Sequence, residues 1–153
     1  MRAMDPKFTV QLKIRKDPEE VFDAVVKPDK LSGYFVQTAS GPLVEGKTVK
    51  WKFAETAQSF DVVVREVSKN ERIVFEWPSD SGSYNTRVEM IFKRLDDGAT
   101  LVQISESGWR PDPGGVTASY GNAGGWMHMM CSLKAYLEYG INLRAGGTGH
   151  GCG

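Results

Sequence analysis

From Lys7 the chain reads KFTVQLKIR, with Phe8, Val10, Leu12 and Ile14 alternating against polar neighbours. That period of two predicts a strand with one buried face. Asp17 is placed to cap a helix, Pro18 suits its first turn, and Glu19 and Glu20 suit its positive end. Val21, Phe22, Val25 and Val26 give that helix an apolar face; Pro28 ends it, and PDKLSGYF predicts a second short helix. The period then returns to two. Val49, Trp51 and Phe53 share one face, as do Phe60, Val62 and Val64, then Ile73, Phe75 and Trp77. Val88, Met90 and Phe92 follow, and finally Val102, Ile104 and Glu106. Turn residues separate these runs: EGK at 45–47, SKNE at 68–71, SDSGS at 79–83 and DDG at 96–98. Strands joined this tightly form an antiparallel meander, whose apolar face needs a cover.

The cover is a long helix expected over residues 120–144. Trp126, Met130, Leu133, Leu137 and Ile141 form its stripe, Gly140 is a mild flaw within it, and Gly146 and Gly147 suit its end. The fold class is therefore α+β, a curved antiparallel sheet gripping a C-terminal helix, with two short helices after the first strand. One domain is expected over residues 8–144, between an N-terminal segment, 1–7, and a flexible Gly-rich tail, 145–153.

Composition narrows the function. Lys plus Arg equals Asp plus Glu at 19 each, so no global charge draws the chain to nucleic acid. No apolar run approaches the roughly 18 residues that span a membrane, and MRAMDPKF lacks a signal-peptide core. Cys131 in a helix and Cys152 in the tail do not suggest a disulfide framework, so a reduced cytoplasmic protein is expected. His150 and Cys152 could pick up metal adventitiously, but a disordered terminus is the simpler reading. No G-x-S-x-G elbow, P-loop, H-E-x-x-H or C-x-x-C is present.

The order and landmarks resemble the activator of heat-shock protein 90 ATPase homologue-like family, in the START-like (SRPBCC, birch-pollen-allergen-like) superfamily. IRKDPEEVFDAVVKPDKLSGYF resembles the family's first strand and helix pair; GKTVKWKF and FDVVVREVSKNERIVFEW resemble its central hairpins. GATLVQISESGW resembles its last strand, and GGWMHMMCSLKAYLEYG the Gly-Trp opening of its final helix. The resemblance implies a helix-grip fold, commonly with a pocket between sheet and helix. The superfamily includes lipid and hormone binders, cyclases, hydrolases and chaperone activators, so fold does not choose among them. The eukaryotic chaperone activator carries an additional N-terminal domain for which this chain has no room.

Met127, His128, Met129, Met130 and Cys131 follow Trp126 directly. Helical geometry splits them around the axis, with His128 almost opposite Trp126, so core and cavity wall are expected rather than a metal site. Candidate lining residues are Trp51, Phe53, Phe75, Trp77, Met90, Ile104, Trp126 and Met130; the alternative is that they pack solid. Strand parity points Glu106 inward, where it could meet a ligand or act as a general base. A strand that ends or bulges at Ser105 would leave it at the solvent rim, and that placement is the expected one. Tyr84 and Thr86 share the inward parity and stand at the pocket mouth or at a frayed strand start. Residues 107–125 form either a lid, with Trp109 closing over a ligand and Arg110 meeting an anion, or an ordinary connection with Trp109 in the core.

The function expected is binding of a small hydrophobic or amphipathic ligand, without cofactor or metal, Glu106, Tyr84 or Arg110 orienting its polar end. The first alternative is a co-chaperone-like contact with a chaperone ATPase through exposed charges such as Lys50, Lys52 or Arg87. The second is a cofactor-free enzyme using the same pocket.

Overall fold

A computed structural model describes residues 5–147. Its elements are β1 (Lys7–Ile14), α1 (Pro18–Val26), α2 (Pro28–Leu31), β2 (Thr38–Ala39), β3 (Thr48–Lys52), β4 (Phe60–Ser68), β5 (Arg72–Pro78), β6 (Asn85–Arg94), β7 (Thr100–Ser107) and α3 (Pro113–Tyr139). The strands form one antiparallel sheet in the order β1-β7-β6-β5-β4-β3-β2. Strands β3 to β7 are the expected meander. The first strand closes on the last, Val10 opposite Ile104 and Phe8 opposite Glu106.

Local chemistry explains the short elements. The Asp17 carboxylate accepts the Glu20 N–H at 2.8 Å, and Pro18 occupies the first turn of α1. The β4–β5 turn places Asn70 at φ 65°, a left-handed conformation that asparagine tolerates. A register shift between Val64 and Glu66 marks a bulge in β4, and bulges bend the strand that carries them.

The core lies between the sheet's concave face and α3, with α1 and α2 packed into it. Trp51, Ile73, Phe75, Met90, Ile104, Met130 and Leu133 are fully buried there. Tyr34 is buried too, and its hydroxyl donates to the Ala24 carbonyl at 3.0 Å.

The final helix departs from its expected span at both ends. It starts at Pro113, because Asp112 caps it by accepting the Gly115 N–H at 2.8 Å and Pro113 sits in its first turn. It stops at Tyr139, because Gly140 turns left-handed at φ 69°. The Gly140 N–H then donates to the Tyr136 carbonyl and the Ile141 N–H to that of Ala135, a Schellman closure. Gly140 is thus the helix's stop signal, and Ile141, 51% exposed, drops out of the apolar stripe. Residues 107–125 are accordingly not one long loop: 108–112 is the connection, and 113–125 is the opening of α3. Most of the expected tail, His150 and Cys152 included, and most of the N-terminal segment lie outside the described residues.

Candidate ligand-binding site

β7 does not end at Ser105. It is hydrogen-bonded on both sides, to β1 and to β6, and that double ladder carries it to Ser107. Glu106 therefore keeps its inward parity, opposite Val88 and Phe8, and is 1% exposed. The expected place at the solvent rim is corrected: this carboxylate is in the interior.

Four side chains satisfy it. Trp126 donates its indole N–H to Oε1 at 2.8 Å, and Trp77 donates its own to Oε2 at 2.9 Å. The Thr86 hydroxyl reaches Oε2 at 2.6 Å. The Asn122 amide lies 3.0 Å from Oε1 and 3.1 Å from Oε2. Each donor comes from a predictable place. Trp77 is the next-to-last residue of β5, Thr86 stands directly opposite it on β6, and Asn122 and Trp126 are one helical turn apart on α3. A carboxylate offers about four lone-pair sites and no proton to give, which suits a ring of donors. None of these partners is cationic.

Above this knot lies a cavity of about 300 Å³. Its aromatic walls are Phe35, Phe53, Phe60, Trp77 and Trp126; its polar margin is Thr56, Ser79, Asp80 and Asn122, with Pro78 and Gly125 completing the lining. Trp77 and Trp126 lie against each other with ring centroids 5.3 Å apart. Phe35 packs on both Phe53, at 5.0 Å, and Trp126, at 5.6 Å.

Of the residues expected to line a pocket, Phe53, Trp77 and Trp126 are brought together at this cavity. Trp51, Phe75, Met90, Ile104 and Met130 lie in the packed core. Trp51 still buttresses the site edge-on, 5.3 Å from Phe75 and 6.1 Å from Trp77. Tyr84 is turned to the loop after β7, where its hydroxyl accepts the Arg110 N–H at 3.1 Å and its ring lies 4.6 Å from the Arg110 guanidinium. Trp109 is buried against Phe8 at 5.7 Å and does not line the cavity. Phe35, Thr56, Phe60, Asp80 and Asn122 were not singled out by sequence reasoning. Asn122 had a readable signal, since it stands four residues before Trp126 on the same helix face.

The Met-rich stretch is core: Met129 and Met130 are buried. His128 is neither sealed in the core nor fully exposed. It is half-buried, its Nδ1 has no partner among the described residues, and burial followed by the nearby Arg144 guanidinium lowers its pKa. Arg144 in turn pairs with Glu55 and lies 5.9 Å from the rings of both Phe35 and Phe53. Among the described residues no group of three His, Cys, Asp or Glu is placed to hold a metal ion, and no helix is long and apolar enough to cross a membrane.

Comparison with known proteins agrees with this architecture. The family profile described as "Activator of Hsp90 ATPase homolog 1-like protein" matches residues 15–138. A solved protein from Staphylococcus saprophyticus superposes with a TM-score of 0.77 at 25% identity, over 90% of this chain and 96% of that one. The Aha1 dimer from Colwellia psychrerythraea gives 0.74 at 21%, over 89% and 98%. A protein from Mesorhizobium loti gives 0.75 at 18%, over 86% and 96%. A search of curated protein sequences gives no significant match.

Proposed function

Because the chain belongs to the activator of Hsp90 ATPase homolog 1-like family, with its START-like helix-grip fold, we propose that it binds a small hydrophobic or amphipathic molecule in the cavity beside Glu106. The observation that carries this reading is the fixing of two cavity walls by one buried carboxylate. A buried acidic group costs stability unless it is fully hydrogen-bonded. Here its bonds go to the very indoles that face the cavity, so the aromatic surface is held in place before any ligand arrives. Preorganised walls reduce the ordering cost of association. A general-base role for Glu106 finds less support, because its acceptor sites are already occupied.

The test is a titration of the ¹⁵N-labelled protein with a neutral apolar probe, 1-naphthylmethanol, read at the four indole N–H signals. Saturable shifts at Trp77 and Trp126, with Trp109 unmoved and the effect weakened in Phe60→Ala, are expected. Absence of saturable binding would sink the reading.

The family description also supports a second one, an activator-like contact with a chaperone ATPase. Of the charges expected to carry it, Lys50 pairs with Asp61 at 2.6 Å and Lys52 bonds Gln37 at 2.6 Å, while Arg87 is exposed. Stimulation of purified Hsp90 ATPase that falls in Arg87→Ala and persists in Phe60→Ala would select this reading over the cavity.

A further inference from the structure

Resting on the cavity reading above, we propose that the site selects a compact organic cation, an aryl- or alkylammonium, over the carboxylate of the same shape. Three observations converge on this. The first is the charge of the lining. Asp80 is its one charged residue; no Lys, Arg or His lines the cavity. Asp80 is exposed at the rim and has no ion-pair partner among the described residues. A carboxylate or phosphate entering here would be desolvated with no cation to meet it.

The second is the wall itself. Five aromatic side chains line this small cavity, and aromatic faces attract ammonium groups through their negative π clouds. A volume of about 300 Å³ lies at the lower end of ligand pockets, which suits a compact molecule.

The third is Glu106. It accepts the indole N–H of both tryptophans, and its other partners, Thr86 and Asn122, are neutral donors too. An oxygen that accepts an indole N–H pushes electron density into the ring, since hydrogen-bonded groups polarise one another. Both indoles thus present a more electron-rich face to a cation than an indole without a partner. Two cations stand near the wall without lining the cavity: Arg144, against Phe35 and Phe53, is paired to Glu55, and the Lys52 ammonium is held by Gln37 at 2.6 Å and the Phe53 carbonyl at 3.4 Å.

The experiment compares three probes with one naphthalene body on the full chain: 1-naphthylmethylammonium, 1-naphthylmethanol and 1-naphthoate. Affinities come from the Trp77 and Trp126 indole signals at neutral pH and low salt. The ammonium is expected to bind at least tenfold more tightly than the carboxylate, with the alcohol between them. Asp80→Asn should shrink that ratio several-fold, by weakening the ammonium and strengthening the carboxylate; an unchanged ratio would overturn the part assigned to Asp80. Equal affinities, or a tighter carboxylate, would overturn the selectivity while leaving the cavity reading intact. Failure of all three probes, the alcohol included, would remove the cavity reading and this inference with it.

Discussion

Trp126 Nε1 lies 2.8 Å from Oε1 of Glu106, an indole N–H and a carboxylate closing on each other across the interface between α3 and the sheet. The bond ties the helix to β7 at the floor of the cavity, and Trp77 makes the matching bond from β5. Glu106→Gln keeps the size and swaps one acceptor oxygen for a donor that faces other donors. At least one buried N–H loses its partner, at about 1–3 kcal/mol, and the lost charge weakens the remaining bonds. The expected total is roughly 3 kcal/mol, read as a lower urea midpoint at unchanged m-value. The indole signals of Trp77 and Trp126 should move, and that of Trp109 should not. A loss below about 0.5 kcal/mol would mean that the carboxylate does not hold these walls.

Much of this was written in the alternation of the strands. Parity put Glu106 on the same face as Val102 and Ile104, and Thr86 on the same face as Val88 and Met90, which is where they are. The end of β7 was not legible, because it depends on β1 returning from the far end of the chain to pair with it. The start of α3 was obscured for a related reason. Gly114, Gly115, Gly121, Gly124 and Gly125 have poor helix propensity, and packing together with the Asp112 cap overrides it. The cavity's exact walls were the least readable. Trp51 and Trp77 belong to the same inward aromatic pattern, yet one is sealed in the core and the other faces the void. Which ring fills space and which borders it depends on volumes, and hydrophobic periodicity does not encode volume.

The glycines of α3 should separate into two kinds. A Cβ at Gly115 would stand 1.9 Å from the Arg110 carbonyl oxygen, a backbone atom that cannot step aside. Gly115→Ala should therefore cost at least about 2 kcal/mol and disturb the helix start. Gly121 and Gly124 have nothing within 4 Å of the added carbon. Gly121→Ala and Gly124→Ala should each stabilise by roughly 0.4–1 kcal/mol, since alanine restricts the unfolded chain and favours the helix. Thermal unfolding of the three variants measures this directly; a harmless Gly115→Ala would contradict the close approach.

Acid should loosen the other end of that helix. Glu138 has a side chain only 3% exposed, and burial pushes its carboxyl pKa up. The Arg15 backbone N–H, at 2.8 Å, and the side chains of Lys134 and Arg15, at 2.6 and 2.7 Å, together outweigh burial and bring it from 4.5 to about 2. A folded value below the unfolded one means stability that is present above pH 4.5 and lost as the pH falls toward 2. Glu138→Gln should cost about 1–2 kcal/mol at neutral pH, and its deficit against the wild type should close across that acid window. Urea midpoints at intervals from pH 6 to 2 test this. A deficit that stays constant would show that the ion pairs contribute nothing beyond packing.

His128 gives the opposite end of the pH scale its own signal. Its imidazole is half-buried, and burial first, then Arg144, disfavours the charged form, with Glu55 acting weakly the other way. The folded chain thus binds a proton less readily than the unfolded one, whose histidine titrates near 6.5. The resulting stability is complete above that value and is lost as the pH drops through it, levelling off once the folded imidazole is itself protonated. Glu106, satisfied by neutral donors, does not face this group; the charged groups that do are Arg144 and Glu55. An NMR titration of the His128 ring should give a pKa below 6.5, and Glu55→Gln should lower it further by removing the anion that favours protonation while leaving Arg144 unpaired. A value at or above 6.5 would contradict the effect of burial and Arg144 on this ring.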